Sequence, residues 1–177
     1  MKTFIALIRG INVGGHRKVP MTELRVLLTD SGFLNVKTYI QSGNVIFQSA
    51  GTEKKDLEAH IHNVINDCFG FEVPVLVRTA DDLKTMFNNC PFSEEEKVNS
   101  YFTMLSEIPD KNLAEEASKR IYPNEEFIIF KDCIYFYSSE GYGKVKFNLS
   151  YFEKKLKVNA TSRNYKTIVK LLSLSQK

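Results

Sequence analysis

The run Arg9-Gly10-Ile11-Asn12-Val13-Gly14-Gly15-His16-Arg17-Lys18 gathers the groups best suited to holding a ligand. Gly10, Gly14 and Gly15 let the backbone take unusual angles and come close to a bound molecule. Successive amide N–H groups, followed by a helix N-terminus, favour anions, and Arg9, Arg17 and Lys18 add positive charge. The chemistry indicated is capture of a phosphate or a carboxylate. The run is not a P-loop, because no Gly-Lys-Ser/Thr follows at the required spacing, and it does not match Gly-x-Gly-x-x-Gly. The plain alternative is a tight connection whose glycines solve a turn, ringed by solvated basic residues.

Three other places invite the same question. Ser42-Gly43-Asn44 is a turn signal, and Asn44 can also read a ligand with its amide. Arg163 has a planar fork that suits an oxyanion, and Asn164 beside it is placed to cap a helix. Gly141-Tyr142-Gly143-Lys144-Val145-Lys146 is a second glycine-plus-basic stretch before a helix, and Lys144 is its candidate contact. The candidate ligand-binding set is therefore Arg9, Gly10, Asn12, Gly14, Gly15, Lys18, Ser42, Asn44, Lys144, Arg163 and Asn164. Phe127, Phe130, Tyr135, Phe136 and Tyr137 crowd one hairpin, where they either stack bases on an open sheet face or fill the core.

Catalytic and metal chemistry find less support. His60 and His62 stand two apart on a helix, so they diverge and do not chelate one metal. His16 has no partner carboxylate or nucleophile in view. No catalytic residue, metal site or cofactor is indicated. Cys68, Cys90 and Cys133 are odd in number and form no C-x-x-C pair, which points to a reducing compartment. All three read as small core residues, Cys68 on the apolar face of its helix.

The elements that must position these groups follow from periodicity and turn residues. Residues 3–9 form a short apolar strand. Pro20 sits where a first helical turn tolerates it, ahead of Met21, Leu24, Leu27 and Leu28. Two β-rich runs flank Ser42-Gly43-Asn44 as a hairpin. Leu57, Ile61, Val64, Ile65 and Cys68 mark one face of a helix that Gly70 ends. Residues 73–78 make a strand whose Pro74 places it at an edge or start. Thr79 and Asp82 have capping-box spacing, with Asp in place of Glu. The order β-α-β-β-α-β plus a helix is ferredoxin-like.

After Cys90-Pro91 and the acidic Glu94-Glu95-Glu96, the order starts again. A strand at 101–105, a helix capped by Asp110, a hairpin around Lys131-Asp132, a helix near Phe152, a short strand at 158–161 and a last helix from Tyr165 complete it. The expectation is an α+β chain of two similar ferredoxin-like (βαββαβ) subdomains, 1–92 and 93–177, each followed by a helix.

Bulk properties agree with a globular chain. It has 177 residues, 43% hydrophobic and 25% charged, with a formal net charge of +3. That charge is too mild to indicate a polyanion partner by itself. The N-terminal apolar run stops at Arg9, too early for a signal peptide, and no stretch is long enough to span a membrane. The expected compartment is the cytoplasm.

Three stretches together carry a family resemblance: residues 9–15 with Lys18 and Met21, residues 38–47, and residues 160–165 with Thr167 and Lys170-Leu171. The chain resembles the bacterial family catalogued as domain of unknown function 1697. That family often shows Thr-Thr-Arg-Asn-Trp where this chain has Thr161-Ser162-Arg163-Asn164-Tyr165. The resemblance implies a two-part α+β fold and no assigned reaction. Two functional readings follow from the residues: a binding module for nucleic acid or nucleotide phosphates, and an enzyme acting on a small anionic substrate. A protein-interaction scaffold without ligand is the third.

Overall fold

The computed structural model describes residues 1–140 and 145–176. The first half runs β1 (Lys2–Ile8), α1 (Met21–Asp30), β2 (Leu34–Tyr39), β3 (Asn44–Ser49), α2 (Lys54–Phe69), β4 (Val75–Thr79) and α3 (Ala80–Asn88). The second runs α4 (Glu94–Lys97), β5 (Ser100–Leu105), α5 (Lys111–Ser118), β6 (Glu125–Phe130), β7 (Cys133–Ser138), α6 (Leu149–Leu156), β8 (Ala160–Asn164) and α7 (Tyr165–Ser175). Each half builds a four-stranded antiparallel sheet, ordered β2-β3-β1-β4 and β6-β7-β5-β8. That is the ferredoxin-like order twice, as the element pattern predicts. The compact units are residues 1–84 with 170–177, and residues 85–169.

Local chemistry explains most boundaries. Gly32 and Gly70 take positive φ, 103° and 75°, just past the ends of α1 and α2, which only glycine does cheaply. Asp110 Oδ1 accepts from the amides of Asn112 and Leu113 and starts α5. Ser93 and Glu96 form a reciprocal capping box on the short α4. Pro74 lies one residue before β4, an edge strand, where its missing donor is harmless. Pro20 is the N-cap of α1 rather than part of its first turn. The last strand lies two residues or more later than the expected 158–161, because Asn164 both ends β8 and caps α7 through the Thr167 amide at 2.9 Å.

In the first unit, Phe4, Ala6, Ile8, Val45, Phe47 and Val77 face α1 and α2, whose Leu24, Leu28, Leu57, Ile61 and Ile65 complete the core. In the second, Leu105, Ile134 and Ala160 pack with Ala117, Tyr122, Phe152 and Leu156. The alternate residues are buried too: Ile5, Leu7, Ile46 and Leu76 in one sheet, Phe102, Met104 and Tyr135 in the other. Of the aromatics in the second hairpin, Tyr135 and Phe136 are core, Phe127 and Tyr137 are half-buried, and Phe130 is exposed. Tyr135 and Phe136 are each 1% exposed, and neither face offers them as a stacking platform.

The halves correspond in register. Ile5 pairs with Ile46 and Arg78, as Phe102 pairs with Tyr135 and Arg163. Backbone bonds at the sheet ends repeat as well. Ile8 N–H donates to Gly43 O and Arg9 N–H to Pro74 O, while Leu105 N–H donates to Asp132 O and Ser106 N–H to Asn159 O. Thr79 and Asn164 occupy matching places and each caps the helix that follows.

Candidate functional site

The glycine loop is built around Asn12. Its Nδ2 donates to Val19 O at 2.9 Å and to Gln41 O at 3.0 Å, and its Oδ1 accepts from the Val19 amide at 2.8 Å. This one side chain closes the loop on itself and ties it to the β2–β3 turn. Inside that clasp, Val13, Gly14, Gly15 and His16 form a two-residue hairpin. His16 N–H donates to Val13 O, and the glycines sit at φ 58° and 78°. Two consecutive positive φ angles are what a type I′ turn demands. Buried Ile11 and Val19 anchor both ends, while residues 13–18 are exposed.

The turn after β2 packs against this loop. Gly43 lies so close to β1 that an added Cβ would meet Ile8 O at 2.7 Å and Ile11 Cδ1 at 3.1 Å. Asn44 is fully buried, and its Nδ2 donates to Tyr39 O and Ser42 Oγ. Ile40 and Arg17 take positive φ, 49° and 48°, and Ile40 pays for this as a β-branched residue in a region that such residues avoid.

Eight candidates, Arg9, Gly10, Asn12, Gly14, Gly15, Lys18, Ser42 and Asn44, thus lie at one end of the first sheet. Their roles differ. Asn12 and Asn44 hold the scaffold with their amides, and Gly43 permits the close approach. Arg9 is half-buried. The groups left facing solvent are His16, Arg17 and Lys18, joined by Ser42. Arg17 and Lys18 make no ion pair among the described residues, and the Arg17 guanidinium lies beside Gly10. This is an exposed cation pair on a rigid clasp, able to meet an oxyanion by charge and hydrogen bond.

Arg163 and Asn164 belong to the second unit. Arg163 is 8% exposed and donates to Thr161 Oγ1 at 2.8 Å and Ser162 O at 2.9 Å. Burial pushes its pKa down to about 10. Lys144 lies outside the described residues. Beyond it, Lys146 N–H donates to Glu125 Oε1.

His60 reaches Ser31 O and His62 reaches Val73 O, so they diverge as their spacing requires. Among the described residues no three His, Cys, Asp or Glu side chains are grouped to hold a metal. Cys68 is exposed, not a core residue. It follows Ile65 by three positions, but at this end of α2 it is Val64 and Phe69 that pack against the core. Cys133 is buried, and desolvation raises its thiol pKa well above the ordinary value.

Sequence reading missed the clasp and the equivalence of Arg78 with Arg163. A signal for the second existed: each arginine directly precedes the residue that caps the next helix.

A profile of a family described as proteins of unknown function (DUF1697) matches residues 1–135. Among solved structures, the conserved bacterial protein SP0830 from Streptococcus pneumoniae is similar, at 28% identity and a TM-score of 0.76 over 98% of each chain. No curated protein matches.

Proposed function

Because this chain belongs to the DUF1697 family of proteins of unknown function, whose description names no reaction, we propose that it is a binding module for phosphate-bearing ligands, nucleic acid foremost, and that the loop of its first unit makes the contact. One observation carries the reading. The two halves share register and sheet-end hydrogen bonds, so each serves as a control for the other. The link from β5 to α5 uses five residues, 106–110, whereas the matching link from β1 to α1 uses twelve, 9–20. The fold itself does not require the added length. What the extra residues supply is an exposed hairpin bearing His16, Arg17 and Lys18, clasped by Asn12. Loops carried on a rigid scaffold are where binding groups concentrate.

The test is fluorescence anisotropy of labelled DNA and RNA across a salt series. Log affinity is expected to fall linearly with log salt. Lys18→Ala should weaken binding across sequences and reduce the slope by about 1, and Arg17→Ala/Lys18→Ala by about 2. Asn12→Ala should weaken affinity with the slope kept, since it loosens the clasp without removing charge. Absence of binding at low salt, or binding indifferent to both cations, would overturn the reading.

A further inference from the structure

β6 is an edge strand of the second sheet, and its outer side is open. Asn124 O accepts from Ser139 N–H on the β7 side, whereas Glu125 N–H donates to Tyr122 O, away from β7. Backbone groups alternate sides along a strand, so Phe127 and Ile129 also turn their N–H and C=O groups outward. No strand pairs there, and among the described residues no hydrogen bond is made to those outer groups. Two edges of the first sheet carry devices that block pairing. β2 is interrupted by a register shift between Leu34 and Lys37, with Asn35 at φ 51° and Lys37 exposed. Pro74 stands just before β4. β6 has neither device. From Phe127 to Phe130 its register against β7 is unbroken, and that run holds no charge, proline or glycine. A regular apolar edge of this kind invites another strand.

The charges at its ends select the strand. β6 begins with Glu125 and Glu126, and Lys131 follows its last residue. When two copies lie antiparallel about a two-fold axis at Ile128, Phe127 of each exchanges both backbone bonds with Ile129 of the other. On one face Ile128 meets its own counterpart, and Glu126 lies beside Phe130, which is 44% exposed. On the other face Glu125 stands opposite Lys131 of the second copy. Glu125 gives an independent sign that something is to be supplied here. Its Oε1 accepts from Lys146 N–H, but its Oε2 is buried and has no hydrogen-bond partner among the described residues. A buried carboxylate oxygen ordinarily has a donor, and this pairing brings an ammonium to the facing position. Neighbouring registers are worse. An axis at Phe127 sets both glutamates against isoleucines, and an axis at Ile129 sets Glu126 against Asp132, where like charges repel.

We infer that the chain forms a symmetric dimer through β6, with a second copy of this chain extending the sheet of the second unit into one continuous antiparallel sheet. The inference does not rest on the ligand reading of the first unit's loop.

The experiment is sedimentation equilibrium of the full chain over a range of concentrations. A reversible monomer–dimer equilibrium is expected. Phe130→Glu places a carboxylate opposite Glu126 twice in the dimer and should raise the dissociation constant about tenfold. Adding Glu126→Lys to Phe130→Glu turns both like-charge pairs into ion pairs and should bring the constant back toward that of the unaltered chain. Both positions are exposed, and circular dichroism of each variant reports whether its fold is intact. Lys37→Glu, on the edge of the other sheet, should leave the equilibrium unchanged. A monomer at every concentration, a dimer indifferent to Phe130→Glu, or a double variant no tighter than Phe130→Glu would overturn the inference.

Discussion

Gly43 and Gly15 both sit at positive φ, near 79° and 78°, yet they answer to different constraints. Around Gly15 an added Cβ meets nothing within 4 Å, so Gly15→Ala is expected to cost only the left-handed strain, about 1–2 kcal/mol. At Gly43 the same methyl would press on the Ile8 carbonyl at 2.7 Å and on Ile8 Cβ at 2.9 Å. Backbone in the central strand cannot give way as a side chain would. Gly43→Ala should therefore cost about 2–5 kcal/mol, strain and overpacking together. Urea denaturation of the two variants checks this, and equal losses would contradict the packing argument.

At the scale of elements, α3 shows how a short helix is held. Thr79 Oγ1 accepts from the Asp82 amide at 3.0 Å, and Asp82 Oδ2 accepts from the Thr79 amide at 2.9 Å and from Lys54 Nζ at 3.0 Å. Partial burial disfavours the Asp82 carboxylate, but these donors outweigh it and hold its pKa below the ordinary value. A carboxyl whose folded value lies below its unfolded value stabilises the fold above the unfolded value. That contribution is lost as pH falls through the folded value. Stability should thus decline below about pH 4, and Asp82→Asn should flatten that part of the profile. Thr79→Ala should cost about 0.5–2 kcal/mol at neutral pH. Denaturant midpoints measured from pH 2 to 7 test both. An acid limb unchanged in Asp82→Asn would rule this contribution out.

For the whole molecule, the informative contrast is among its thiols. Cys68 is exposed on the first unit, whereas Cys133 is buried in the second with its pKa raised, chiefly by desolvation. A thiol reagent should modify Cys68 within the native state and reach Cys133 only through opening of the second unit. Labelling followed by mass spectrometry across a denaturant series should show Cys133 tracking the unfolding transition. Modification of Cys133 as fast as Cys68 in native buffer would contradict the burial described. No helix among the described residues is long and apolar enough to cross a membrane.

Sequence alone determined the features that arise from neighbours along the chain. The Asp110 and Asn164 caps, the Thr79–Asp82 box, the glycine stops at Gly32 and Gly70 and both hairpins depend on contacts a few residues apart, and residue type reports such contacts directly. The doubled ferredoxin-like order followed from those elements, because few topologies accommodate that succession. Tertiary structure decided what depends on distant partners. Asn12 reads in sequence as a ligand group, and only the approach of Gln41, 29 residues away, makes it a clasp. Arg163 looks available until its strand is placed in the sheet, where burial takes the guanidinium from solvent. Cys68 fits an apolar stripe, yet Val64 and Phe69 rather than Cys68 meet the core at that end of α2, because which residues of a helix are covered depends on strands distant in the chain.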